Sequence, residues 1–424
     1  MKRKASLWLQ PGEYVKIIVF VNPVGAIGGA ERVLLTLFAA LRNTQPNIQL
    51  HLIVGTDGLL VASAQELGVR VRILKLPDQV LQLGDSALKG NNQLRAGLML
   101  LVRIAIALPA FMQYVVKFQK TIGEINPDLI HTNGIKSHLL TRLPGSKRVP
   151  VVWHIHDFYS SRPLMARVLR WASDRATGGI AISEAVAQDA IVTLPGLPIE
   201  VIYNALDVNH FSPGFSNLNR LDSPFNKLTS PVGIIRVGLV ATFARWKGHD
   251  IFLKAADQVI RDRPELNVHF YIVGGAIYQT QGSQFSESEL RELAAVLQIE
   301  DNVDFIGFQQ NIVDVYRWLD IVVHASTQPE PFGLAIIEAM ACGKPVIVSQ
   351  AGGAAELFTH NYDAVSFQPN SPTALASRIQ HLIDNPCLCK RLSENARNTV
   401  LKRFSHDRLG EQILTVYKKF NALD

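Results

Sequence analysis

Glu330 and Glu338 stand eight positions apart around a stretch of proline, glycine and apolar residues. Pro331 and Gly333 keep the backbone extended and bare just before an apolar run that predicts a helix. The free N–H groups at such a helix start can face an anion such as a diphosphate. Carboxylates accept hydrogen bonds from the vicinal hydroxyl groups of sugars and ribose. The pattern therefore predicts a sugar or nucleotide pocket, although two isolated glutamates would also fit a helix cap and a solvated helix charge.

Arg245 and Lys247 lie in a predicted loop between a strand and Gly248, after which a helix begins. A loop at the carboxyl end of a parallel strand brings its cations to the ligand edge of the sheet, where they can neutralise a leaving diphosphate. Two solvated loop cations are the alternative. Because no Asp-x-Asp metal motif occurs, the sequence predicts fixed cations and helix amides in place of a metal.

A glycine loop, Gly25-Ala-Ile-Gly28-Gly29-Ala-Glu31-Arg32, separates the first predicted strand from the first predicted helix. Its spacing alone fits many phosphate-binding turns, including dinucleotide ones. No Gly-Lys-Ser/Thr follows, which argues against a Walker-type ATPase. A later strand runs into His156-Asp157. The end of a parallel strand is where a ligand-contacting histidine would be expected, although a lone histidine at such a place is more often structural.

The run E-P-F-G-L-A-I-I-E-A-M-A-C-G-K-P-V, from Glu330 to Val346, resembles the E-x7-E signature of family-4 retaining glycosyltransferases, as found in bacterial polysaccharide biosynthesis. The later Gly352-Gly353-x-x-Glu356 matches the same pattern. The resemblance implies that Glu330 contacts the donor sugar and Glu338 the nucleotide ribose. It also implies that the backbone amides around Phe332, Gly333 and Leu334 meet the sugar and the diphosphate.

Other family positions are matched elsewhere in the chain. Lys247 matches the lysine that neutralises the diphosphate, but the family arginine falls near Thr242, so Arg245 is assigned only as its substitute. In the first half the resemblance places Gly29, next to Gly28, at the diphosphate and His156 beside the donor sugar. It further implies that the backbone around Gly307, with Phe308, recognises the edge of uracil.

Strand-like and helix-like patterns alternate along the whole chain, which is typical of parallel α/β sheets. Together with the resemblance, they predict a GT-B fold of two Rossmann-like, doubly wound domains facing a central cleft. The predicted domains are residues 1–207 on the acceptor side and 233–403 for the nucleotide sugar. A Pro-, Ser- and Gly-rich linker is expected at 208–232, and a terminal helix at 404–424 that crosses back to the first domain.

Residues 1–210 carry 22 Lys and Arg against 14 Asp and Glu, a net charge of +8, whereas residues 211–424 carry 20 against 22. This asymmetry indicates an anionic partner near the first half. Nucleic acid is not expected, because no aromatic residues interleave with the basic ones. The apolar run 96–118 contains Arg103 and Pro109, which disfavours a membrane span. Two interpretations stay open: peripheral contact with an anionic membrane, or packing into the domain core.

The three cysteines indicate free thiols in a reducing cytosol, and no apolar signal core follows the basic start. We therefore expect a cytoplasmic enzyme, at most peripheral at the inner membrane face. The expected reaction is the transfer of a hexose to a saccharide or lipid-linked acceptor, without a metal and with retention of anomeric configuration. The first expectation for the donor is UDP-glucose. No cofactor is expected beyond the donor substrate. The alternatives are a sugar-nucleotide epimerase or hydrolase of the same fold, and a catalytically dead carbohydrate-binding protein.

Overall fold

The computed structural model describes residues 16–75, 77, 93–142, 149–214, 233–276 and 282–423, and for 93–107 the backbone alone. The chain divides into two compact units. The first unit contains residues 1–180, 190–200 and 409–424, and the second contains residues 181–189 and 201–408. Each unit is built around one parallel β-sheet.

The first unit is centred on a seven-stranded sheet in the order β3-β2-β1-β4-β5-β6-β7. In chain order its strands are β1 (Ile17–Asn22), β2 (Gln49–Val54), β3 (Arg70–Ile73), β4 (Leu129–Asn133), β5 (Val151–Ile155), β6 (Gly178–Ala181) and β7 (Ile199–Val201). The helices between them are α1 (Gly29–Thr44), α2 (Leu59–Glu66), α3 (Gln93–Ile125), α4 (Ile135–Leu140), α5 (Pro163–Ser173) and α6 (Glu184–Thr193).

The second unit has a six-stranded sheet in the order β10-β9-β8-β11-β12-β13. Its strands are β8 (Ile235–Val240), β9 (Val268–Val273), β10 (Val303–Gly307), β11 (Ile321–His324), β12 (Val346–Ser349) and β13 (Val365–Phe367). Its helices are α7 (His249–Asp262), α8 (Glu287–Val296), α9 (Ile312–Trp318), α10 (Leu334–Ala341), α11 (Pro372–Asp384) and α12 (Pro386–Arg403), and the chain ends with α13 (Asp407–Lys419).

Both sheets reverse their strand order once, between β1 and β4 in the first unit and between β8 and β11 in the second. Of the strands that flank these points, β1, β4 and β11 are almost wholly buried, because helices cover both faces of a parallel sheet. Ligands of doubly wound folds bind beyond the carboxyl ends of the strands at such reversal points. The predicted α/β class with two Rossmann-like sheets is confirmed.

The units are not the contiguous stretches that the sequence predicts. Residues 181–189 lie inside the expected first domain but belong to the second unit. The reason is local: the Ser183 hydroxyl donates to the Pro331 carbonyl, and the carboxylate of Glu356 accepts from the amides of Glu184 and Ala185.

The first residues of the expected linker at 208–232 are part of a compact unit and not of a linker. Residues 208–214 belong to the second unit, where the Arg397 guanidinium donates to the carbonyls of Val208 and Phe211. The remainder, 215–232, lies outside the described residues.

At the C-terminal end of the chain, residues 409–424 belong to the first unit. The Tyr417 hydroxyl of α13 lies 2.7 Å from Nδ1 of His131 in that unit.

The apolar run 96–118 forms part of the long helix α3. Where side chains are described, this run has one buried and one exposed face. Tyr114, Val115 and Phe118 are buried in the first unit, whereas Leu108, Met112 and Val116 are more than half exposed along one face. Within the described part of the chain, no helix combines the length and the apolar character needed to cross a membrane.

Candidate active site

Glu330 is the most densely bonded carboxylate of the predicted site. It is 7% exposed and lies in the loop between β11 and α10. Lys247 Nζ donates to Oε1 at 2.5 Å. Oε2 accepts from His324 Nε2 at 2.5 Å and from the Ser326 hydroxyl at 2.7 Å. Burial by itself raises the pKa of the Glu330 carboxyl, but Lys247 and His324 together hold the net pKa well below its usual range. Glu330 is therefore an ionised carboxylate kept out of water.

The position of Lys247 follows from the turn that precedes α7. Residues 245–247 form one 3-10 turn, and Gly248 then adopts a left-handed conformation with φ of 74°. A Cβ on Gly248 would stand 1.9 Å from the carbonyl oxygen of Ala325, so only glycine fits there. This close approach brings the turn against the residues that follow β11. The Lys247 side chain is 18% exposed, and its ammonium lies 4.2 Å from the centre of the Trp246 ring.

The Gly352-Gly353-x-x-Glu356 segment supports the backbone of Glu330. The amide of Gly353 donates to the Glu330 carbonyl at 2.7 Å. A Cβ on Gly353 would come within 2.1 Å of the Pro331 carbonyl oxygen. The same Pro331 carbonyl accepts from the Ser183 hydroxyl at 2.7 Å. These contacts hold the Glu330–Pro331 loop from two sides. Gly352 has φ of 62°, and a Cβ there would stand 2.7 Å from the Glu330 carbonyl oxygen, so both glycines of the segment are required.

Glu338 lies within α10 and is 7% exposed. Its Oε2 accepts a hydrogen bond from the buried hydroxyl of Tyr316 at 2.8 Å. Gly333 caps the start of α10 with φ of 105°, and Phe332 beside it is buried against Tyr203 and Phe404. Since the Phe332 side chain is used in packing, only its backbone is available to a ligand, as the resemblance implies. Leu334, the first residue of α10, is partly buried.

Arg245 is not brought to the Lys247–Glu330 pair. Its guanidinium donates to Oε1 of Glu289 at 2.6 Å and lies 4.4 Å from the ring centre of Phe285. Both partners of this ion pair are 44% exposed. To stabilise a diphosphate in place of the usual family arginine, Arg245 would have to leave Glu289.

Gly307 is the last residue of β10, and Phe308 follows it at the carboxyl edge of the second sheet. The Gly307 carbonyl accepts from the amide of Gly274, which follows the neighbouring strand β9. Phe308 is 58% exposed, an unusual state for a phenylalanine. The structure therefore places an accessible aromatic ring beside two strand-end glycines, in the part of the sheet where the resemblance places uracil.

In the first unit, Gly28 and Gly29 stand at the start of α1, directly beyond β1. The Gly28 amide donates to Oε2 of Glu31 at 3.0 Å. Oε1 of Glu31 accepts from the Asn22 side chain at 3.2 Å. The glycine loop is thus tied through Glu31 to the last residue of the central strand.

His156 follows β5 in the first unit. It belongs to a group of four histidines, His131, His138, His154 and His156. Its Nε2 lies 2.6 Å from Oδ1 of Asn133, and its ring centre is 4.2 Å from that of His154. His154 Nδ1 in turn lies 3.2 Å from Nε2 of His131. Burial lowers the pKa of both His131 and His156 to about 3, so both rings are neutral at pH 7.

Two functional residues of this site, His324 and Ser326, are not among those that the sequence predicts. Both bond to the Glu330 carboxylate. The available signal was their spacing, since positions 324 and 326 point to the same side of an extended chain. Within the described residues, no three His, Cys, Asp or Glu side chains group as a metal site would require.

Two family models match the chain. The model described as Glycosyltransferase Family 4 matches residues 27–210, and the model described as Glycosyl transferases group 1 matches residues 224–399. Together they account for most of the sequence.

Individual relatives agree with these matches. The chain is 23% identical over 302 residues to the N-acetyl-alpha-D-glucosaminyl L-malate synthase of Bacillus anthracis, covering 69% of this chain and 74% of that protein. It is 30% identical over 224 residues to the D-inositol 3-phosphate glycosyltransferase of Rhodococcus erythropolis, covering 52% of this chain and 48% of that protein.

Among solved structures, HepE of Anabaena in complex with UDP and glucose superposes with a TM-score of 0.76 at 26% identity, over 96% of this chain and 100% of that one. HepE has also been solved with UDP-glucose. The two sheets, the glutamate motif and these matches define a glycosyltransferase with the GT-B fold. The chain belongs to glycosyltransferase family 4.

Proposed function

We propose that this glycosyltransferase transfers a hexose, with glucose from UDP-glucose as the first choice, to a saccharide or lipid-linked acceptor in polysaccharide synthesis, with retention of anomeric configuration. The observation that carries the proposal is the buried Glu330 carboxylate, held by Lys247, His324 and Ser326. An ionised carboxylate beside a cation suits sugar hydroxyls on one side and a leaving diphosphate on the other. The similarity to HepE, a protein solved with UDP-glucose, supports the choice of donor.

In the proposed reaction the acceptor hydroxyl oxygen forms a bond to the anomeric carbon while the bond from that carbon to the diphosphate oxygen breaks on the same face. The proton of the acceptor passes to the departing phosphate oxygen. Lys247, with Arg245 if it leaves Glu289, and the N–H groups at Gly333 and Leu334 stabilise the negative charge that develops there. Glu330 orients the sugar through its hydroxyl groups.

The remaining residues bind the donor. Glu338 accepts hydrogen bonds from the ribose hydroxyls, and the backbone at Gly307 with Phe308 contacts uracil. From the first unit, Gly28 and Gly29 offer amides to the diphosphate, and His156 contacts the sugar. No metal and no cofactor take part in the proposal, because fixed cations and amides supply the positive charge.

The decisive experiment screens UDP- and GDP-linked hexoses for binding by calorimetry and for slow hydrolysis by the purified chain. We expect UDP-glucose to bind and to be hydrolysed, with unchanged rates in EDTA. The anomeric configuration of the first product, read by NMR, separates a retaining transferase from an inverting enzyme. Release of UDP with a sugar epimerised at another carbon would favour the epimerase. Binding without any turnover would favour a carbohydrate-binding protein, and EDTA-sensitive turnover would contradict the metal-independent chemistry.

We further propose that the first unit contacts an anionic membrane, where a lipid-linked acceptor would be presented at the cytoplasmic face. Besides the exposed stripe on α3, helix α5 exposes Leu164, Val168 and Trp171 along one face, at 50%, 43% and 59%. Arg167 and Arg170 are exposed on the same helix, and the Arg142 guanidinium lies 4.8 Å from the Trp171 ring centre. Apolar side chains between cations are the composition of a surface that lies on a lipid headgroup layer.

A further inference from the structure

A chain of hydrogen bonds runs from the glycine loop of the first unit to His156. Asn22 Nδ2 donates to the Val24 carbonyl at 2.6 Å and to Oε1 of Glu31 at 3.2 Å. Asn133 Nδ2 donates to Oδ1 of Asn22 at 2.8 Å, and Oδ1 of Asn133 lies 2.6 Å from Nε2 of His156. Both asparagines are buried, at 1% and 2% exposure, so solvent does not compete for these bonds.

In each of these hydrogen bonds, only one assignment of donor and acceptor is possible. The Val24 carbonyl can only accept, so the group of Asn22 that faces it must be the amide nitrogen. The carbonyl oxygen of Asn22 then faces Asn133 and requires its amide nitrogen as the donor. Consequently Asn133 presents its oxygen to His156, and Nε2 of His156 must carry a proton.

The protonation of Nε2 determines what the rest of the ring can do. Burial keeps His156 neutral, since its pKa is lowered to about 3. A neutral imidazole carries one proton, so Nδ1 bears a lone pair and is an acceptor. A hydroxyl group of a bound sugar could donate to Nδ1, whereas a diphosphate oxygen could not.

We propose that Asn133 and Asn22 are positioning residues for the donor sugar, which fix the Nε2–H tautomer of His156 and tie it through Glu31 to the Gly28–Gly29 loop. This inference rests on the proposed function for the donor and for its contact with His156, whereas the tautomer of His156 does not depend on it. The two asparagines do not touch the donor themselves. The same hydrogen bonds align the histidine and the glycine loop. One bonded group of residues therefore positions both the contact with the sugar and the contact with the diphosphate.

The tautomer is tested by NMR of the full-length protein labelled with nitrogen-15 in histidine, at pH 7 and without substrate. The His156 signals are assigned as those absent from His156→Gln. In the wild type we expect a protonated Nε2 and an unprotonated Nδ1. In Asn133→Leu the acceptor for Nε2–H is lost, and we expect a mixture of both tautomers. A protonated Nδ1 in the wild type, or an unchanged tautomer in Asn133→Leu, would overturn the inference irrespective of any activity.

The positioning role is tested with kinetics on the same variant. We expect Asn133→Leu to lower kcat/KM for UDP-glucose at least about tenfold, because the acceptor for His156 Nε2–H is lost. The Kd for UDP should stay within about twofold, because Asn22 still bonds to Val24 and to Glu31 and so keeps the Gly28–Gly29 loop in place. Thr132→Val is the matched control: Thr132 is buried on the same strand, and its hydroxyl bonds to His138, not to His156. This control should leave both the tautomer and kcat/KM near wild type.

Equal losses of UDP affinity and kcat/KM in Asn133→Leu would mean a general distortion of the first unit and would contradict the positioning role. If no UDP- or GDP-hexose is turned over by the wild type, the proposed function fails. The tautomer measurement still decides the arrangement of His156 in that case, because it needs no substrate.

Discussion

Lys247 Nζ lies 2.5 Å from Oε1 of Glu330, and both side chains are largely buried, at 18% and 10% exposure. The cation assigned to the leaving diphosphate and the carboxylate assigned to the sugar therefore form one ion pair before any donor is present. Removing Glu330 takes away the charge partner of a largely buried ammonium, which is costly. Removing Lys247 leaves the buried Glu330 carboxylate with His324 and Ser326 alone. Substitutions at these two positions should consequently not act independently.

Glu330→Gln should lower kcat about 100-fold, equivalent to about 2.7 kcal/mol of transition-state stabilisation, with little change in UDP affinity. The reason is that the carboxylate serves the sugar and not the nucleotide. Combined with Lys247→Met, the loss should be clearly smaller than the product of the two single losses. Steady-state kinetics with UDP-glucose on the four proteins measures this. Near wild-type turnover in Glu330→Gln would show that the sugar-contact assignment is wrong.

Glu338→Gln should weaken UDP binding about tenfold, because the ribose hydroxyls lose a charged acceptor. The matched control is Tyr316→Phe, which removes only the hydroxyl that donates to Oε2 of Glu338. That variant should change the Kd for UDP less than Glu338→Gln does. Calorimetry with UDP measures both, and equal affinity in wild type and Glu338→Gln would contradict the ribose contact.

Arg245→Ala should reduce turnover less than Lys247→Ala does. Arg245 is engaged with Glu289 in a half-exposed ion pair, whereas Lys247 is buried beside Glu330. Loss of this exposed pair should change the free energy of unfolding little, since water screens it. Kinetics and urea unfolding of both variants, with Glu289→Ala as control, provide the comparison. A loss of turnover in Arg245→Ala as large as in Lys247→Ala would instead place Arg245 at the diphosphate.

The first unit should lose stability as the pH falls below about 6.5. Burial lowers the pKa of His131 and His156 to about 3, and lowers the pKa of His138 and His154 as well. Because the folded pKa lies below the unfolded value, the neutral histidines stabilise the fold fully above pH 6.5. This stabilisation is lost progressively as the pH falls towards 3, by up to about 1.4 kcal/mol per pH unit for each proton that only the unfolded chain binds.

Urea unfolding between pH 7 and pH 5 measures this effect. Glu330, whose folded pKa is also depressed, contributes its acid sensitivity only below about pH 4.5 and so does not confuse this window. In His131→Leu the free energy of unfolding should depend less steeply on pH, by the amount that corresponds to nearly one fewer proton bound on unfolding. This expectation holds whatever the stability of the variant at pH 7. An unchanged slope would mean that His131 is not held neutral by the fold.

Binding to liposomes should require anionic lipid and should fade as salt rises, since each basic residue near such a surface contributes about 1 kcal/mol that is screened within a Debye length. Trp171→Ser combined with Val168→Ser should weaken the binding at low salt, because it removes apolar contact from α5. Leu401→Ser, at an exposed apolar position of the second unit, is the matched control. Failure of the wild type to sediment with anionic liposomes at low salt would contradict the membrane proposal.

The fold class and the family of this protein can be predicted from local sequence patterns. The alternation of apolar strand runs with helical periods determines two parallel α/β sheets, and the short motif from Glu330 to Glu338 identifies the family, because period and spacing act over a few neighbouring residues. A strand of three residues such as the edge strand β13 is too short to show a period, so only the tertiary structure reveals it.

Side-chain partners were decided only by the tertiary structure. Lys247 and Glu330 are 83 positions apart, and Asn22 and Asn133 are 111 positions apart. Parallel sheets bring the ends of distant strands to one edge, and no local pattern states which ends will be neighbours. For that reason the roles of His324 and Ser326, the pairing of Arg245 with Glu289, and the tautomer of His156 follow from the fold, whereas the motifs that contain or adjoin them could be found in the sequence.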